Sequence, residues 1–134
     1  MSPTVLISGA GIAGPTLAWW LTRYGFRCTL VERAPAPRQG GYVIDFWGKG
    51  YDIAEKMGLA PQLERDGYHV KEVRLLDHEG HRAGGFGVEV FSRLTGGRYV
   101  TLPRSALARM VWNAVSSDCE TLFDDSVSAL DQDE

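Results

Sequence analysis

The chain has 134 residues, 44% hydrophobic and 23% charged, with a net charge of −3. That is the size of one domain and the composition of an ordinary globular protein, and no apolar run reaches the ~20 residues of a membrane helix. Seven of the 17 acids fall in residues 118–134, so ten acids face all 14 Lys and Arg in residues 1–117, a local net of +4. That excess suits a small anionic ligand, but it forms no basic stripe of the kind nucleic acid requires. Thr4 to Ser8 reads as a short apolar strand running straight into Gly9, Gly11 and Gly14. Residues 13 to 24 follow as a helix, with Gly14, Leu17, Ala18 and Leu21 on one face and Gly25 placed to end it. Cys28 to Glu32 is a second strand, the Pro/Gly connector 34–41 interrupts, and Tyr42 to Asp45 is extended.

Further along, residues 48–58 and 60–66 read as short helices, and His69 to Asp77 alternates as a strand. "HEGH" is a hairpin turn leading to a strand near residues 82–90. Residues 96–102 are extended, and a helix begins at or near Pro103. "ETLFD" and "SVSALDQD" are strand-like. The fold class is α/β: a Rossmann-like parallel sheet opened by a β-α-β unit, with additional antiparallel strands. Only Cys119 to Phe123 can join the first two strands, so the sheet reads as incomplete and the chain as a fragment of a longer one.

The glycines point to chemistry. In Gly9-x-Gly11-x-x-Gly14, the first glycine allows a tight turn and the second lets main chain approach a pyrophosphate. The third allows close packing of helix on strand. The helix start then offers free N–H groups and a positive dipole end to phosphates, so the main chain of Gly9, Gly11, Ile12, Ala13 and Gly14 forms the expected cradle. Glu32 closes the second strand 18 residues beyond Gly14, where a ribose-binding acid belongs. A carboxylate there accepts ribose hydroxyls and repels a 2′-phosphate, which leaves FAD or NAD and excludes NADP as the dinucleotide held on this turn.

Three further segments narrow the choice. The opening "VLISGAGIAGPTLAWWLTRYGFRCTLVERAP", then "RQGGYVIDFWGKGYDIAEKMGL" and "YVTLPRSALARMVW", resemble the N-terminal part of the FAD-dependent aromatic monooxygenases. This is the para-hydroxybenzoate hydroxylase-like group, which includes the tetracycline-inactivating monooxygenases. The resemblance implies that residues 1–134 are the N-terminal part of an FAD-binding domain, with about 41–100 including the start of its substrate side. It implies that Glu32 binds the adenosine ribose and that Arg33 lies along adenine or ribose. Arg38 would lie near flavin or nicotinamide, Asp45 near the flavin, and Arg104 on the ribityl and pyrophosphate part. Each has a plainer alternative: Arg33 and Arg38 as surface charges, Asp45 as the N-cap of the helix from residue 48. Arg104 in a first helical turn opposes the dipole, which favours a ligand role.

By the same resemblance the parent protein is an NAD(P)H-using monooxygenase of an aromatic or polyketide-like small molecule. These residues alone are expected to be inactive, and no catalytic residue is assigned among them. A standalone nucleotide-binding module, an NAD-linked enzyme and another flavin oxidoreductase remain alternatives. No metal site is expected from His69, His78 and His81. With no basic region before the first apolar run, we expect no signal peptide, a cytoplasmic location and reduced Cys28 and Cys119. No membrane or nucleic-acid partner is expected, and the incomplete sheet invites self-association.

Overall fold

The computed structural model describes residues 2–132 and divides into two compact units. The first comprises residues 1–41 and 105–134, and the second, Tyr42–Arg104, is inserted between them in the chain.

The first unit is a three-stranded parallel sheet in the order β1-β2-β7, built from β1 (Thr4–Ser8), β2 (Arg27–Glu32) and β7 (Glu120–Phe123). Parallel neighbours need a crossover, and α1 (Ala13–Arg23) supplies it between β1 and β2. Val5 stands opposite Cys28, and Thr29 stands opposite Glu120. The middle strand carries the core: Cys28, Leu30, Val31 and Glu32 are buried, and Leu30 is fully so. Burying a leucine of that kind contributes roughly 1.5–3 kcal/mol. Against the sheet α1 buries Pro15, Ala18 and Trp19. The helix stops as its glycine predicts: Phe26 N–H donates to Leu21 O at 3.0 Å and Gly25 N–H to Thr22 O at 3.1 Å. Gly25 takes φ +83°, the paired bonds and left-handed residue of a Schellman end. Helix α5 (Arg104–Asn113) buries Leu107, Met110 and Val111, and the Trp112 indole N–H donates to Thr121 Oγ1 at 3.2 Å on β7.

The second unit contains two antiparallel pairs. β3 (Val43–Trp47) pairs with β6 (Tyr99–Pro103), Asp45 opposite Thr101. β4 (Glu72–Leu76) pairs with β5 (Arg82–Gly87) through the expected hairpin. Helices α2 (Gly48–Lys56), α3 (Ala60–Asp66) and α4 (Val88–Thr95) complete it. Val100 and Leu102 of β6 are fully buried, as is Leu63 of α3. Tyr51 on α2 donates its hydroxyl to Glu64 at 2.8 Å, and Arg98 reaches Asp52 at 2.9 Å and Glu55 at 2.6 Å.

Four expectations need correction. Residues 88–95 are a helix, whereas the strand was expected to run to about residue 90. Their β-branched residues read as strand, but β5 loses its partner at Gly87, and the left-handed Gly96 (φ +62°) ends the turn of helix that follows. The strand over His69–Asp77 is confined to Glu72–Leu76, the stretch that β5 can pair. Ser126 to Gln132 form no strand, since no segment pairs with them among the described residues; the end of "SVSALDQD", Asp133, lies outside those residues. Asp45 does not cap α2, which has no side-chain cap, because it lies within β3.

Candidate functional site

The glycine turn sits at the C-terminal end of β1 and opens α1. Gly9 takes φ +102°, a conformation that suits glycine, and its N–H donates to Val31 O at 2.7 Å on the next strand. A Cβ on Gly14 would stand 1.9 Å from Gly9 O and 3.3 Å from Leu30 Cδ2, so only glycine lets the helix sit this close to the turn. Gly11 is the opposite case. A Cβ there would meet nothing within 4 Å and would project into open space. Its bareness serves no internal packing; it keeps a path to the main chain clear.

The helix start matches that geometry. No side chain caps α1, and no acid occupies its first turn. The first amides of a helix lack internal partners, so they and the dipole are available to an anion.

Glu32 is where the spacing put it, at the end of β2, and it is buried with 9% of its surface exposed. Oε2 accepts the Ala10 N–H at 2.9 Å from within the glycine turn, and Oε1 accepts the Ala34 N–H at 2.9 Å. The Ala34 and Ala10 amides hold its carboxyl below the usual carboxylate range, with Arg38 and Arg33 adding to the effect and burial opposing it. Arg33 and Arg38 are themselves exposed, and neither forms an ion pair among the described residues. Gly40 (φ +75°) and Gly41 (φ +110°) follow Arg38 in left-handed conformations.

In the second unit, Asp45 is exposed on β3 and accepts the Thr101 hydroxyl at 2.6 Å. Arg104 opens α5, is exposed, and carries its guanidinium 5.9 Å from the centre of the Tyr42 ring. No carboxylate pairs with it among the described residues. The structure thus brings Gly9, Gly11, Ile12, Ala13, Gly14 and Glu32 together at one turn. Arg33 and Arg38 follow Glu32 in the same unit, and Asp45 and Arg104 belong to the second.

Sequence reasoning missed Ala10 and Ala34, which act through backbone amides that carry no residue signature, and Thr101, whose only clue is strand register. Cys28 and Cys119 are buried, unbridged thiols, both pushed up in pKa chiefly by burial. No metal-holding cluster exists among the described residues. A cavity of about 850 Å³ opens at the other end of the parallel strands, by Thr4, Arg27, Cys28 and Glu120. It is remote from the turn, and the free amides and carboxylate argue for the turn as the site.

The FAD binding domain family matches residues 2–134. The chain belongs to that family. An uncharacterised protein of Mycobacterium tuberculosis is 36% identical over 138 residues, covering 97% of this chain and 35% of that protein. The flavin-dependent monooxygenase eupH of a Phoma species is 31% identical over 134 residues, covering 97% of this chain and 31% of that protein. Among solved structures, tetracycline destructase Tet(55) superposes with a TM-score of 0.80 at 30% identity, covering 98% of this chain and 32% of its own. The chain therefore spans about a third of the length of the relatives it matches. The resemblance to flavin-dependent monooxygenases, the α/β fold and FAD as cofactor are borne out. No helix among the described residues is long and apolar enough to cross a membrane.

Proposed function

We propose that these residues form the adenosine-diphosphate-holding part of an FAD-dependent monooxygenase that takes electrons from NAD(P)H and hydroxylates an aromatic or polyketide-like small molecule. One observation carries the reading: a turn with open space at Gly11 and an uncapped helix start faces a strand-end carboxylate, Glu32, whose Oε2 reaches back into that turn. The pairing suits a diphosphate joined to an unphosphorylated ribose. FAD, when bound, supplies the redox and oxygen chemistry. The chain's own part is to bind and orient. The amides opening α1 hold the diphosphate, and Glu32 accepts from the ribose hydroxyls.

Further roles follow the resemblance. Arg33 lies along adenine or ribose, and Arg38 lies near flavin or nicotinamide. The Arg104 guanidinium, with its fork of donors and no carboxylate partner among the described residues, suits the ribityl and pyrophosphate oxygens. Asp45 lies near the flavin, oriented by Thr101. The segment of about 41–100 begins the substrate side. Catalysis requires the parent protein, so the chain alone binds without turnover. A cytoplasmic location fits its unbridged cysteines, and the short parallel sheet is a place for self-association.

The test is to purify the chain and titrate it with FAD, following the visible flavin band and protein fluorescence, then add NAD(P)H. Saturable FAD binding that is lost in Gly11→Ala and Glu32→Ala supports the reading. No binding, or equal binding by NADP, overturns it, and robust NAD(P)H oxidation overturns the claim that the chain alone is inactive.

A further inference from the structure

Glu32 does more than close a strand. Three chain segments meet on it. Its Oε2 takes the Ala10 N–H of the glycine turn and its Oε1 takes the Ala34 N–H of the segment after β2, both at 2.9 Å. Its main-chain carbonyl accepts the Asp125 N–H at 3.2 Å from the segment after β7, and Ala34 O accepts the Asp124 N–H at 3.0 Å. The carboxylate therefore ties the glycine turn to the segment after β2, while the main-chain carbonyl of the same residue receives the segment after β7.

The turn needs such a tie. Glycines flank Ala10 on both sides, and glycine gives up more freedom on ordering than any other residue. Gly9 N–H is pinned to Val31 O at 2.7 Å, and Ala10 N–H is pinned to Glu32. Two successive amides are thus turned toward β2, and the main chain from Gly11 onward is left to face a ligand. We propose that Glu32 is a positioning residue for the phosphate-binding turn, tying Ala10 to Ala34 and shaping the turn before any nucleotide arrives. The proposal rests on the FAD-site reading only in naming what the turn receives. An ionised carboxylate has about four lone-pair positions. The two amides occupy two of them, so a ribose can share the same oxygens. A ligand then meets a turn whose ordering is already in place and loses less freedom on binding.

The experiment separates this role from ribose binding. In the flavin-free full chain, amide hydrogen exchange is measured at Ala10 and Ala34, with Leu30 on β2 reporting the fold. Inorganic pyrophosphate, which has no ribose, is the probe for the turn. In Glu32→Gln, exchange at Ala10, Ala34 or both should quicken at least roughly tenfold, in keeping with loss of a hydrogen bond to a charged group, while Leu30 stays protected. Pyrophosphate affinity should fall in parallel, and Glu32→Asp should restore part of both. Unchanged exchange at both amides in Glu32→Gln overturns the proposal, as does unchanged pyrophosphate affinity with only FAD affinity lost. If the variants unfold, wild type decides: the amide proton shifts of Ala10 and Ala34 must both follow the titration of the Glu32 carboxyl, and their indifference to it overturns the proposal. A wild-type chain that binds no FAD defeats the functional reading, while the exchange data still decide the tie.

Discussion

The two units solve opposite problems. In the first, the candidate surface for a ligand is main chain: amides bared by glycine and aligned by a buried strand and helix. Its one charged participant at the turn, Glu32, is buried and held by amides. In the second, side chains do the holding. Tyr51, Glu64, Arg98, Asp52 and Glu55 knit α2, α3 and the start of β6 together, while the β4–β5 hairpin leaves Leu75 and Leu76 exposed.

The largest effect should come from breaking the backbone fit. Gly14→Ala puts a methyl against Gly9 O and should destabilise the chain by about 3 kcal/mol or more, since overpacking against main chain cannot relax easily. Gly11→Ala sharpens the contrast: denaturant midpoints should barely move, while FAD affinity falls by at least roughly tenfold as the methyl enters the ligand's space. Equal destabilisation by the two substitutions would erase the distinction between packing and access.

Next comes Glu32→Gln, with an expected loss of about 1.5–3 kcal/mol at neutral pH, the worth of a hydrogen bond to a charged group. The carboxyl lies below its ordinary value of 4.5 in the folded chain, because the Ala34 and Ala10 amides favour the anion. The unfolded state then binds the proton more readily. This contribution is therefore full above the ordinary value and drains away as pH falls through it toward the lower folded value. Acid denaturation curves of wild type and Glu32→Gln should converge at low pH, and a constant gap between them would refute the assignment.

Tyr51→Phe probes the other unit and should cost about 1 kcal/mol, because the Glu64 carboxylate that accepts its hydroxyl is exposed and screened by water. Burial, and then the Glu64 carboxylate, push the Tyr51 hydroxyl up to about 12 from 10. The folded chain keeps that proton when the unfolded chain has lost it, so the Tyr51 contribution declines as pH climbs from 10 toward 12. Alkaline denaturation should be less steep in Tyr51→Phe. The smallest effect is expected at Arg74→Ala: its pair with Glu72 lies on the exposed hairpin, where water and salt screen it, and thermal midpoints should not shift.

The sequence by itself determined the β-α-β opening of the first unit, residues 4–32, almost to the residue. Thr4–Ser8, the helix from Ala13, its stop at Gly25 and the strand ending at Glu32 all follow from local periods and glycine chemistry. So does the identity of the turn, because a φ near +102° at Gly9 and a 1.9 Å approach at Gly14 leave no other residue acceptable. What the sequence could not decide was anything set by a partner distant in the chain. Residues 88–95 carry strand-forming side chains, yet form a helix where β5 runs out of pairing. Ser126 to Gln132 have strand composition and stay irregular, with no strand beside them among the described residues. Asp45 had the spacing of a cap, and the register with β6 gave it Thr101 instead. The tie from Glu32 to Ala10 spans 22 residues and uses a backbone N–H that every non-proline residue owns. Only the packed sheet selects which amide it will be.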